Sequence, residues 1–229
     1  MRSLCKLGLV LGVVVVLASP APAQGPGGRF GGGGLLGLAT NKSVQGELKL
    51  TEEQATKVKD VVQQVRDKHK DEQEALQKIE DVQERFQKFG ELRKTMSNDF
   101  LKDVADVLKP DQVKRLKQID LQTRRSFAFQ DPDVQKELNL TDDQKDKIKT
   151  IGEDARKEMR EIGQGGQGNQ EETRKKFAAL QKDVDEKIQA VLTPEQKKSW
   201  KEMTGEPFEI KFEPGQFGKG KGGKKKRDP

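Results

Sequence analysis

The sequence predicts an all-α protein: two tandem helical-hairpin modules with long amphipathic helices, a flexible Gly-rich N-terminal tether and a basic C-terminal tail. Three observations point there. Apolar residues recur at helical spacing along the chain, residues 44–54 reappear ninety positions later, and Leu-Thr-x-x-Gln opens three of the inferred helices. Composition agrees. Of 229 residues, 36% are charged and 31% hydrophobic, too little apolar matter for one large enclosed core or a set of membrane spans.

Arg2 and Lys6 precede an apolar run over 7–17 and then Ala18-Ser19-Pro20-Ala21-Pro22-Ala23. A basic start, a short apolar centre and an A-x-A ending describe a cleavable secretory signal peptide over residues 1–23. The run is shorter than the roughly 20 apolar residues a spanning helix needs. The expected location is therefore periplasmic or otherwise extracytoplasmic. Cys5, the one cysteine, leaves with the signal peptide, so helix packing rather than disulfides must stabilise the mature chain. Residues 24–41 are rich in glycine and are expected to form a flexible linker.

The first module is expected over residues 42–126. Val58, Val61, Val62 and Val65 fall at i, i+3, i+4 and i+7, one face of a helix. Phe89, Leu92, Met96, Phe100, Val104 and Val107 make a second stripe, and Val113, Leu116 and Ile119 a third. No glycine lies near 76–84, so the first two helices run together or turn without one. The second module is expected over 131–212, with Asp131-Pro132 as a cap followed by proline at the first helical position. Its stripes are Ile148, Ile151, Ala155, Met159 and Ile162, then Phe177, Leu180, Val184, Ile188 and Val191, then Trp200 and Met203. A glycine-rich break over 163–169 separates the first two. Residues 107–112 match 191–196 at an offset of 84, which completes the repeat. Residues 208–212 alternate like a strand and are expected to lie extended across a helical groove. Such narrow stripes cannot support isolated helices, so the hairpins must pack on each other or on another chain.

Leu50-Thr51-Glu52-Glu53-Gln54, Leu140-Thr141-Asp142-Asp143-Gln144 and Leu192-Thr193-Pro194-Glu195-Gln196 share one chemistry. Thr at the N-cap and Gln three residues later form a capping box, and the acids between them suit the positive end of the helix. Leu108-Lys109-Pro110-Asp111-Gln112 keeps Leu108 and Gln112 but loses the threonine, so that helix start is expected to fray more.

On these motifs the chain resembles the Spy/CpxP family of periplasmic proteins, whose signature is LTxxQ. The resemblance covers roughly 42–212 in two copies. It implies a small, curved, all-helical hairpin protein, usually dimeric, that acts as an ATP-independent chaperone, a stress-sensor accessory or a metal-responsive sensor. Doubling of the module within one chain replaces the family's dimer with an internal pseudo-dimer, or leaves a homodimer of doubled chains.

Charge and site chemistry narrow the function. Of the formal +6, residues 1–23 carry +2 and residues 215–229 carry +5, which leaves 24–214 at −1 and gives the body no electrostatic footprint for nucleic acid. The expected disordered tail, 213–229, ends in Lys224, Lys225, Lys226 and Arg227, which suit weak contact with anionic surfaces. One His, at position 69 in the first valine stripe, supplies no hydrolase triad, and no phosphate loop or CxxC is present. His69 with Met96, Met159 and Met203 is a thin ligand supply for a soft metal. No cofactor and no enzymatic activity are expected. The leading expectation is a binding protein for unfolded or envelope proteins, with Phe86, Phe89 and Phe100 as candidate contacts. A metal-responsive sensor and a structural envelope protein are the alternatives.

Overall fold

The computed structural model describes residues 34–165 and 169–211. The proposed signal peptide, residues 24–33 of the tether, Phe212 and the tail with Lys224, Lys225, Lys226 and Arg227 lie outside the described residues. The described residues are all-helical, with no strand. In order they form α1 (Leu35–Ala39), α2 (Lys42–Glu47), α3 (Glu52–Lys68), α4 (Lys70–Gln77), α5 (Val82–Val104), α6 (Pro110–Arg124), a 3-10 helix (Arg125–Gln130), α7 (Pro132–Glu137), α8 (Asp142–Gly165), α9 (Gln170–Val191) and α10 (Pro194–Thr204). No described helix is long and apolar enough to cross a membrane.

The apolar stripes close into two separate cores. The first gathers Leu38, Val44, Val58, Val62, Val65, Phe100, Val104, Leu116 and Ile119; the second gathers Ala128, Phe129, Val134, Ile148, Ala155, Leu180, Val184, Ile188 and Leu192. Phe129 meets the ring of Trp200 at 4.3 Å between centroids. Narrow stripes thus pack against each other within each core, which is what their width requires.

Local geometry repeats at the ninety-residue offset. Asn41 and Asp131 both cap the next helix, accepting from the Ser43 and Asp133 amides. Gln45 Nε2 donates to the Ala39 carbonyl at 3.0 Å and Gln135 Nε2 to the Phe129 carbonyl at 2.9 Å. Both short helices end the same way. The Lys49 amide reaches the Gly46 carbonyl and the Leu50 amide the Gln45 carbonyl, while Asn139 and Leu140 reach Lys136 and Gln135. This paired closure needs a left-handed residue after the helix, and Lys49 (φ 51°) and Asn139 (φ 49°) supply it.

Three sequence expectations change. The linker expected over 24–41 ends sooner: α1 buries Leu35, Leu36, Leu38 and Ala39 in the first core, so the packed unit begins before residue 42. A run of leucines beside glycines is short, but burial of three leucines outweighs weak local propensity. Phe100 is fully buried in the first core, because α3 and α1 pack over that part of α5, and it is no surface contact. The segment after α10, given to the second module over 131–212, places Phe208 and Ile210 against the first core.

That segment is a strap across the two halves. Gly205 turns the chain at φ 62°, beside Gln118, where a Cβ would collide with the Gln118 amide. Gln122 Nε2 then donates to the Thr204 and Glu206 carbonyls at 2.6 and 2.7 Å, and Gln122 Oε1 accepts the Phe208 amide at 2.9 Å. Arg115 adds a bond to the Glu206 carbonyl while pairing with Glu47 at 2.7 Å. At the far end, the Lys211 amide donates to Ser43 Oγ and Asn41 Nδ2 donates to the Lys211 carbonyl, both at 3.0 Å.

Candidate binding surface

The four motif glutamines come together in two pairs. Gln54 Oε1 accepts the Thr51 amide, and Thr51 Oγ1 accepts the Gln54 amide, so the expected box is formed. Gln144 with Thr141 and Gln196 with Thr193 do the same. In the degenerate copy only the glutamine half survives: Gln112 Oε1 accepts the Lys109 amide at 2.9 Å.

The second amide edge of each glutamine was not anticipated. Gln54 Nε2 donates to Gln112 Oε1 and to the Val107 carbonyl, both at 3.0 Å, while Gln112 Nε2 donates to the Leu48 carbonyl at 3.0 Å. Gln144 Nε2 donates to Gln196 Oε1 at 2.8 Å and to the Val191 carbonyl at 2.9 Å, and Gln196 Nε2 returns a bond to Gln144 Oε1 at 2.9 Å. Two helix starts are thereby tied face to face. A capping box accepts Glu or Gln alike, but only an amide carries the donors for this cross-link. The use of Gln at all four positions was the available signal. Leu50, Leu108, Leu140 and Leu192 pack behind the pairs, the last three buried. These residues organise the fold and expose no reactive group.

The surface that stands out is on α5. Asp81 caps this helix by accepting the Glu84 amide at 2.7 Å, after a turn without glycine that ends α4. Phe100 and Val104 in its second half are wholly buried. In its first half Val82, Phe86 and Phe89 are 68%, 57% and 43% exposed, the large hydrophobics left exposed among the described residues. They fall at i, i+4 and i+7, a continuation of the core-facing stripe beyond the helices that cover it. α4 packs on this part of α5, where Leu76 and Leu92 are buried, but leaves the three exposed. Gly90 lies in the same exposed stretch with open space where a Cβ would be.

A second concave feature lies between α6 and α10, an open groove of about 540 Å³. Leu108, Val113, Leu121 and Met203 line it together with exposed Lys114, Lys117, Glu137 and Glu202.

His69, the single histidine, sits at the junction of α3 and α4 and is 4% exposed. Its Nε2 meets Asp99 Oδ2 at 2.7 Å and its Nδ1 meets Glu72 Oε2 at 3.1 Å, while Lys68 Nζ shares Asp99 at 2.8 Å. Hydrogen bonding to Asp99 holds the His69 pKa above its ordinary value against the opposing effect of burial. The Asp99 carboxyl is held low by Lys68 first and His69 second. Among the described residues no group of three or more His, Cys, Asp or Glu is arranged to hold a metal ion.

Residues 130–200 match a family model described as "Domain of unknown function (DUF4890)". The match runs from the end of the 3-10 helix into α10 and takes in the second core's α7, α8 and α9. No curated protein and no solved structure matches the chain.

Proposed function

We propose that this chain is an exported, Spy/CpxP-like binding protein that captures exposed apolar segments of other proteins without ATP. The observation that carries the proposal is the Val82, Phe86 and Phe89 stripe, the large hydrophobics left exposed among the described residues. Contiguous exposed hydrophobes on a monomer mark contact sites, whereas scattered ones do not. The three Leu-Thr-x-x-Gln motifs with their degenerate fourth support the family reading, and the signal-peptide pattern supports an extracytoplasmic setting. The two cores in one chain serve as the internal pseudo-dimer.

The function is tested by light scattering from reduced lactalbumin, with mature protein added in stoichiometric amounts and no nucleotide. Suppression of aggregation is expected, and its loss in a Phe86→Ser, Phe89→Ser double variant of unchanged helicity is expected with it. Covering two half-exposed rings contributes about 2 kcal/mol, roughly thirtyfold in affinity. Aggregation at the control rate with the wild-type protein removes the proposal.

A further inference from the structure

We propose that α4 is a lid over Leu92 of α5, beside the open apolar stripe, latched by the side chain of His69 and released as pH rises. The lid would regulate the surface proposed above, and it presupposes that surface as the binding site.

The geometry of the latch carries the inference. His69 ends α3 and begins α4, with φ −105° and ψ 15°, so the two helices do not continue into one another. The second module has Met159 at the equivalent position, and there α8 runs unbroken to Gly165. Both ring nitrogens of His69 face carboxylates, Glu72 of α4 and Asp99 of α5. A carboxylate only accepts, so both contacts are hydrogen bonds only in the imidazolium, the form that the raised His69 pKa favours. Other charges around the junction include Lys68, from α3, which shares Asp99, Asp103, further along α5, which acts on Lys68, and Lys70, which opens α4 and pairs with Glu74. α4 packs on α5 with eight residues, one buried side chain, Leu76, and a weak bond from Gln73 Nε2 to the Met96 sulfur, and Arg85 of α5 donates to the Ile79 carbonyl just after it. Helices this short do not persist in water without tertiary support.

The sign follows from the raised His69 pKa. Protonation-linked stability is complete below the unfolded pKa of about 6.5 and is lost as pH rises through the higher folded value. Loss of the proton leaves one carboxylate without a donor from the ring. α4 then lifts, uncovering Leu76 and Leu92 beside Val82, Phe86 and Phe89 and enlarging the apolar face.

The test is amide hydrogen exchange of α4 in the full mature protein, without client, normalised to intrinsic rates. Protection over residues 70–77 is expected to fall about tenfold or more between about pH 6 and about pH 9, reversibly, with protection of α8 constant. His69→Met, which copies the second module, is expected to remove the pH dependence. Glu72→Gln keeps the Asp99 bond and is expected to move the midpoint to lower pH, and it serves if His69→Met does not fold. A flat wild-type profile, or an unchanged profile in either folded variant, overturns the lid. Client binding does not enter the readout. An inactive protein with a pH-dependent α4 would end the binding proposal alone, and an active one with a flat profile would end the lid alone.

Discussion

Gln144 illustrates how one side chain settles both an element and a contact. Its carbonyl oxygen closes the cap on α8 and its amide nitrogen reaches the start of α10. Gln144→Glu keeps the cap acceptor but removes both donors and sets a carboxylate against Gln196 Oε1 and the Val191 carbonyl. At about 1 kcal/mol per lost bond, and more for acceptors left facing a charge, a loss of about 2–3 kcal/mol is expected in urea unfolding, against about 1 kcal/mol for Thr141→Ala. Equal losses would mean that the cross-link contributes nothing. The capping role was legible in the sequence because all its partners lie within three residues. The pairing was not, because Gln54 and Gln112 are brought together only by the packed core. Lys49 was equally hidden. It holds φ 51° where the equivalent residue is Asn139, a type that tolerates that conformation. Lys49→Gly is expected to stabilise by up to about 1 kcal/mol, read as a higher urea midpoint, whereas Asn139→Gly is expected to change little.

The repeat was legible at the scale of elements wherever it kept residue types. α3 and α8 carry the same motif and the same stripe, and their first nine positions share one pattern of exposure. α1 and the 3-10 helix occupy equivalent places with almost no residues in common, Leu36 standing where the second module has Ser126. That exchange has a consequence in the second core. Ser126 is buried, its Oγ accepts from Gln181 Nε2 at 2.9 Å, and a small hollow of about 50 Å³ opens among Ala155, Phe177 and Val184. Gly152 has its own reason: its bare Cα makes room for the Gln130 amide, which also bonds Arg156. Gly152→Ala is expected to expel Gln130 and destabilise the second core despite better helix propensity, with a lower melting temperature as the measure. The stripe on α5 shows what periodicity cannot tell. Phe86, Phe89 and Phe100 share one face of one helix, yet where that face stops being covered depends on how far α1 and α3 extend.

The strap over Gly205 to Lys211 joins the two cores, beside the packing of α6 on α10 and the Lys94 pairs with Asp131 and Asp133. It was legible as an extended segment, but the address of Phe208 and Ile210 depends on Gln118, Gln122 and Arg115, which lie on α6, some ninety residues earlier in the chain. Ending the chain after Thr204 removes the Phe208 and Ile210 contacts with the first core and the bonds to Asn41 and Ser43. Two half-buried apolar side chains predict a loss of about 2–4 kcal/mol, confined to the first core. Trp200 fluorescence reports the second core, and far-UV circular dichroism reports both. Separated transitions are expected from the shortened chain, and a single unchanged transition would show that the strap does not couple the halves.

The most direct measurement of the binding account is photo-crosslinking from single positions of the mature protein during incubation with reduced lactalbumin. A benzophenone side chain placed at 86 or 89, on the open half of α5, is expected to yield client adducts. The same group at 178, exposed on α9, is expected to yield few. Equal yields from all three positions, or none from 86 and 89, would contradict capture of apolar segments by this face.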